Sequence, residues 1–236
     1  MPQHVGIILD GNRRWARAQG LADPIEAYRI GAAKLDEVLG WCAELGIPAV
    51  TLWVFSTENL ARAPEEVRGL LSVIEAKFGA IAEDPHIHRR RVRVRAVGKL
   101  ELLPDSTLAA VRRAEQATAE YADVVLTFAI AYGGRQEIAD AVRRLIADRA
   151  KQGASIEEIA ESVTQEEIGR YLYAADLPDP DLIIRTSGEV RMSGFLLWQS
   201  AYSEFYFCDV HWPAFRKIDF LRAIRSYQQR GRRFGA

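Results

Sequence analysis

The chain has 236 residues, 49% of them hydrophobic and 27% charged, with a formal net charge of −1. That balance fits a globular protein with a large buried core, and near-neutrality excludes a global field built for nucleic acid. Neither a signal-peptide pattern nor an apolar run of membrane-spanning length is present. Cys42 and Cys208 have no metal-type spacing and lie in apolar surroundings, so a reduced, cytoplasmic protein is expected.

The first predicted strand, His4–Asp10, ends in a carboxylate followed by Gly11, Asn12, Arg13, Arg14 and Trp15 at the start of a helix. Asp10 is placed to hold a divalent cation, Gly11 lets backbone N–H groups approach a ligand, and the helix start with two guanidinium groups favours phosphate. A tight turn and a solvated helix face would use the same residues. A helix is expected over Ile30–Gly46, with Leu35, Val38, Leu39, Cys42 and Leu45 at spacings of three and four and Gly46 and Pro48 as its stop. The strand Ala49–Phe55 leads into Ser56, Thr57, Glu58 and Asn59, with Arg62 beyond. These residues either face a ligand or merely cap a helix and hold a turn.

Further on, His86-Ile-His88 reads as an exposed loop rather than a zinc site. Strands follow at Val92–Gly98 and Val124–Ala131, the second leading into Tyr132-Gly133-Gly134-Arg135. Ile138, Val142, Leu145 and Ile146 mark another helix, and Ser155 with Glu158 and Thr164 with Glu167 read as capping boxes. The strand Leu182–Thr186 closes on Arg185, Arg191 and Ser193, whose arginines can converge on one diphosphate or form surface ion pairs. Glu204 stands just before the last strand, Phe205–Cys208, as a candidate magnesium ligand. Strands apolar at consecutive positions suit a sheet covered on both faces. The expected architecture is α/β: a central, mostly parallel six-stranded sheet flanked by helices, one domain over residues 1–236. Ligands in such sheets sit beyond the carboxyl ends of the strands, where four of these clusters fall.

Together, HVGIILDGNRRWA, FSTENLARAPEEV, YGGRQEI and IIRTSGEVRMSGFLLWQSAYSEFYF resemble the cis-prenyltransferase family of the undecaprenyl diphosphate synthase type, across nearly the whole chain. The resemblance implies a homodimer that condenses isopentenyl diphosphate onto an allylic diphosphate, with magnesium, to form a Z double bond. It implies that Asp10 handles magnesium and pyrophosphate, that Gly11, Asn12, Arg13 and Arg14 bind the allylic diphosphate with Trp15 packing nearby, and that Ser56, Thr57 and Glu58 line the substrate. By the same resemblance Asn59 matches a proposed proton acceptor, with water or a diphosphate oxygen as alternatives, and Arg62 belongs to the substrate motif. Arg185, Arg191, Met192 and Ser193 fall in the isopentenyl diphosphate segment, Glu204 matches a magnesium ligand of the second subunit, and Arg233 and Gly235 match a terminal motif that crosses the dimer.

The chain departs from the family pattern at Asp23–Gly31, which reads as a loop with one extra residue, and at Leu60, Ala131 and Val190. Val54, where long-chain members tend to carry Ala, would shorten an apolar tunnel. The helix after Pro64, with Val67, Leu70, Leu71, Ile74 and Phe78, forms either the opposite wall or ordinary core. The expected product is short, such as (2Z,6E)-farnesyl diphosphate, as in actinobacterial short-chain members. Undecaprenyl or decaprenyl diphosphate synthesis and irregular head-to-middle coupling are the alternatives. A non-catalytic lipid-binding subunit is disfavoured because Asp10 and Asn59 are both present, and an aspartyl phosphohydrolase because Asn12 stands where a second acid is needed. No transmembrane segment is expected, and weak membrane association is left open.

Overall fold

The computed structural model describes residues 1–229. Its sheet is built from β1 (His4–Ile8), β2 (Ala49–Ser56), β3 (Val92–Val97), β4 (Val124–Tyr132), β5 (Leu182–Arg185) and β6 (Glu204–Phe207), in the order β3-β4-β2-β1-β5-β6. All five neighbouring pairs are parallel. The helices are α1 (Asn12–Ala18), α2 (Pro24–Glu44), α3 (Pro64–Ile81), α4 (Pro85–Arg89), α5 (Asp105–Ala117), α6 (Gly134–Lys151), α7 (Ile156–Ser162), α8 (Gln165–Arg170) and α9 (Lys217–Gln229).

The strand residues alternate between two cores, as the pleat requires. Val5, Ile7, Leu182 and Ile184 join a large core against Leu35, Val38, Leu70, Ile74, Phe78, Val111 and Phe220 from α2, α3, α5 and α9. Ile8 and Ile183 point the other way, into a smaller cluster with Ala129, Tyr132, Phe195 and Leu196. Burial on both faces is why these strands lack a polar alternate and read as continuous apolar runs.

Two sequence expectations change. The segment after Asp23 is helical: Asp23 accepts a hydrogen bond from the Ile25 N–H at 2.9 Å, and Pro24 occupies the first turn. A capping aspartate followed by proline is a strong helix start, so α2 begins six residues before Ile30 and brings Tyr28 onto a helix. His86-Ile-His88 lies in α4 rather than a loop, with Ile87 buried. His88 Nε2 lies 2.9 Å from the Ala82 carbonyl oxygen.

β1 is the topological switch point, because the chain leaves it toward β2 on one side while β5 lies on the other. A crevice therefore opens beyond the carboxyl ends of β1 and β5. Asp10 and Arg185 stand at those ends.

Candidate active site

Asp10 is fixed by its backbone before its side chain does anything. The buried Thr186 hydroxyl donates to the Asp10 carbonyl at 2.7 Å and accepts from the Asp10 N–H at 2.9 Å. Gly11 follows with φ +100°, where a Cβ would lie 2.7 Å from His211 and 2.9 Å from Ser187. Only glycine meets both demands, so the turn cannot drift.

The carboxylate then gathers cations. Arg185 donates to Asp10 Oδ2 at 2.8 Å and to Ser193 Oγ at 2.8 Å, and also reaches the Arg191 carbonyl. Arg14 donates to Asp10 Oδ1 at 3.3 Å, to Ser187 Oγ at 2.6 Å and to Glu189 Oε1 at 2.8 Å. Glu189 is shared with Arg191, so it ties the two arginines into one constellation. Burial alone would raise the Asp10 pKa, but the Arg185 and Ser187 hydrogen bonds and the charges of Arg185 and Arg14 outweigh it and hold the group below its ordinary value. Ser187 (φ +85°) and Ser193 (φ +51°) adopt left-handed backbone, a strain that places both hydroxyls beside these arginines.

A second basic group faces it. Arg62 donates to the Tyr28 hydroxyl at 3.0 Å and to Glu66 Oε1 at 3.1 Å, and Arg13 Nε stands 3.6 Å from the same oxygen. Tyr28 donates to Glu66 at 2.8 Å. Burial, and then the hydrogen bond to Glu66, push its phenol up to about 12.

Between these groups opens a cavity of about 420 Å³. Its mouth carries Asp10, Arg13, Arg14, Arg62, Arg185 and Arg191, and its wall carries Leu35, Val54, Leu70, Val73, Ile74 and Phe78. A charged rim over an apolar slot suits an amphiphile with an anionic head. Val54 is turned inward by a bulge: Trp53 pairs with Ala129 and Phe55 with Ile130, leaving Val54 as the extra residue.

The sequence-predicted residues do not all meet here. Ser56, Asn59 and Arg62 line the cavity along with Gly11, Asn12 and Ser193, whereas Trp15, Thr57, Glu58 and Met192 do not. Glu58 is exposed, and its carboxylate accepts from the Thr57 hydroxyl at 3.3 Å. Asn59 Oδ1 accepts from the Ser56 N–H at 3.0 Å, so it also pins the 3-10 turn Thr57–Ala61. Glu204 opens β6 opposite Leu182, which pairs with Val5. At ~3.3 Å per residue it lies on the order of 15 Å along the strands from Asp10, so one chain does not unite them. Arg233 and Gly235 lie outside the described residues.

The Tyr132-Gly133-Gly134-Arg135 cluster is structural rather than part of the cavity wall. Tyr132 is buried on Glu137, and Gly134 donates to the Gly194 carbonyl at 3.0 Å. A Cβ on Gly134 would meet that oxygen at 2.3 Å. Conversely, Tyr28, Lys77 and Thr186 belong to the site or support it and were missed. Asp23-Pro24 could have revealed Tyr28, because it moves the helix start.

Among the described residues no three His, Cys, Asp or Glu side chains are grouped to hold a metal unaided. Asp10 nonetheless fits a hard cation. It is ionised, faces the cavity, and Oδ2 takes one hydrogen bond, leaving a lone pair. Such a cation would need substrate oxygens and water to complete its shell.

Comparison with known proteins gives this geometry its place. The prenyltransferase family model, described as putative undecaprenyl diphosphate synthase, matches residues 8–235. The chain is 57% identical to the tritrans,polycis-undecaprenyl-diphosphate synthase (geranylgeranyl-diphosphate specific) of Methanopyrus kandleri, covering 100% of this chain and 85% of that one. It is 53% identical to the (2Z,6E)-farnesyl diphosphate synthase of Thermobifida fusca, covering 99% and 90%. The fold superimposes with a TM-score of 0.90 on lavandulyl diphosphate synthase from Lavandula x intermedia, crystallised with dimethylallyl diphosphate, at 31% identity over 100% of this chain and 98% of that one. With Asp10 and its arginines gathered over an apolar slot, and with these relatives, the chain belongs to the cis-prenyltransferase family and is an enzyme that transfers prenyl groups.

Proposed function

We propose that the enzyme condenses isopentenyl diphosphate with an allylic diphosphate to give a short Z-configured product, (2Z,6E)-farnesyl diphosphate or one close to it. The observation that carries this is the placement of Asp10, Arg14, Arg185 and Arg191 at the mouth of an apolar cavity. Arginine forks match phosphate oxygens in pairs. The slot below takes a hydrocarbon tail, whose burial stabilises it by ~0.8 kcal/mol per methylene.

The chemistry follows from where charge develops. As the allylic carbon–oxygen bond breaks, negative charge moves onto the departing diphosphate. Arg14 and the second cluster of Arg13 and Arg62 are oriented in advance by Glu189, Tyr28 and Glu66, so they stabilise that charge without reorganising. Arg185, Arg191 and Ser193 grip the second diphosphate and bring its double bond within reach of the cation. Magnesium, held by Asp10 and diphosphate oxygens, would supply further charge neutralisation on the leaving group. A proton then leaves C2 of the isopentenyl unit. Asn59 lies on the cavity wall but its Oδ1 already accepts the Ser56 N–H, which favours a diphosphate oxygen or water as acceptor.

Several features support a homodimer. β6 is an edge strand whose Phe205 and Phe207 rings stack at 6.1 Å, and Tyr202 beside it is 79% exposed. Covering that edge is what unpaired strands require. A second copy would also be the means of bringing Glu204, Arg233 and Gly235 to the site as metal and phosphate ligands. The two buried free cysteines favour the cytoplasm, and no described helix is long and apolar enough to cross a membrane.

Incubation with radiolabelled isopentenyl diphosphate, magnesium and C5, C10 or C15 allylic primers, followed by product sizing, tests the reading. Extended Z products that need both substrates and a divalent cation are expected. Absence of any isopentenyl incorporation would refute it. Coupling of dimethylallyl diphosphate alone would instead support irregular synthesis, which the fit to lavandulyl diphosphate synthase keeps in view.

A further inference from the structure

The cavity has a second end. Helices α2 and α3 flank it and are joined at two levels. Near the mouth, Tyr28 bonds Glu66 at 2.8 Å. Eight residues further along α2, about 12 Å at 1.5 Å per residue, Lys77 Nζ of α3 meets Asp36 Oδ1 of α2 at 2.5 Å. Between the two levels the slot is lined from α2 by Gly31, Ala32 and Leu35. Gly31 carries no side chain because Trp212 and Asn12 already occupy that space.

Lys77 is the only lysine among the described residues that line this cavity, and it sits among apolar neighbours: Val73, Ile74 and Phe78. Its side chain is 14% exposed whereas that of Asp36 is 58% exposed. The four-carbon stem therefore runs along the cavity wall while the ammonium reaches out between the helices to a solvated carboxylate. Neither the diphosphate chemistry at the mouth nor the core packing uses this pair.

We propose that the Lys77–Asp36 ion pair is the distal stop of the tail cavity and a determinant of product length. The inference rests on the prenyl-synthase reading. A growing hydrocarbon tail that reaches this level meets the methylene stem in the cavity lining and, behind it, a hydrated charge that a hydrocarbon cannot displace into an apolar site without loss. Asp36 acts through Lys77 by holding the stem in place. Freed of Asp36, the lysine can swing to solvent and the slot opens between α2 and α3.

Product sizing on Lys77→Ala, Asp36→Ala and Lys77→Arg, with unfolding midpoints measured in parallel, tests this. Lys77→Ala should move the main product up by at least one five-carbon unit. Asp36→Ala, at an exposed position that should not threaten folding, should move part of the product the same way. Lys77→Arg, which keeps a stem and a charge that reaches Asp36, should retain the wild-type length. The rate of the first condensation should stay within a few-fold of wild type in Asp36→Ala, whose carboxylate lies outside the cavity lining. Unchanged product length in folded, active Lys77→Ala or Asp36→Ala would overturn the inference. A wild-type protein that incorporates no isopentenyl diphosphate would instead sink the underlying functional reading, so the two failures are distinguishable.

Discussion

Arg185 donates to Asp10 Oδ2 at 2.8 Å although 175 positions separate them in the chain. The contact joins the ends of two neighbouring parallel strands. Arg185 is 5% exposed, so this carboxylate is what compensates its buried charge. Arg185→Lys removes the fork that serves Asp10 and Ser193 together. Charge-assisted hydrogen bonds are worth ~1.5–3 kcal/mol each, so kcat/KM should fall by about 10- to 100-fold with the fold retained. Steady-state kinetics alongside circular dichroism would check both halves.

Thr186 offers a test of support without substrate contact. Thr186→Val keeps the shape but leaves the Asp10 N–H without its hydroxyl partner and removes the donor to the Asp10 carbonyl. The Asp10 N–H keeps the Ile8 carbonyl and the Asp10 carbonyl keeps the Trp212 N–H, so stability should drop by ~0.5–1.5 kcal/mol. Chemical denaturation would read that loss, and kcat should fall because Asp10 is held less firmly.

Acid should act through Asp10. Its pKa lies below the ordinary carboxylate value, so its folded-state contribution is present above the unfolded pKa of ~3.9 and is lost as pH falls through the lower folded value. Activity and stability should therefore show no Asp10 titration between pH 5 and 8. Tyr28, raised to about 12, stays protonated in the same range and cannot serve as a base. Tyr28→Phe removes hydrogen bonds to two charged groups, Glu66 and Arg62, worth ~1.5–3 kcal/mol each, so kcat/KM should fall by about 10-fold or more while the pH profile between 6 and 10 stays unchanged.

The bulge at Val54 makes a prediction about product size separate from the lysine stop. Val54→Ala removes two methyl carbons from the cavity wall without touching the charged mouth. Longer products at an unchanged rate of first condensation are expected. Identical chain lengths in a radiolabelled assay would contradict the role of Val54.

How much of this was legible in the sequence depends on which element carries the residue. The inner strands β1, β4 and β5 were plain because burial on two faces leaves them apolar at consecutive positions, and residues after their carboxyl ends inherited their place from the sheet. Asp10 and Arg185 were readable for that reason. Lys77 was not, because its place depends on how α2 and α3 cross and no local pattern encodes that crossing; Tyr28 could be put on a helix from Asp23-Pro24, but its place beside Arg62 depends on the same crossing. The Tyr132-Gly133-Gly134 motif misled in the opposite direction. Its glycines answer a backbone contact with Gly194, so Gly134→Ala should destabilise the protein by ~1–3 kcal/mol through overpacking rather than impair substrate binding. Ala131 adopts φ +47°, a left-handed conformation that Asn tolerates more readily than Ala.

The central claim is that Asp10 and its arginines pull diphosphate away from an allylic carbon, and single-turnover kinetics with Asp10→Asn address it most directly. With enzyme in excess over labelled substrate, the rate of carbon–carbon bond formation should fall about 10²- to 10³-fold, the scale of losing one preorganised charge-stabilising group. The thermal midpoint should stay close to that of the parent protein. A folded Asp10→Asn enzyme that forms the bond at the parent rate would contradict the account.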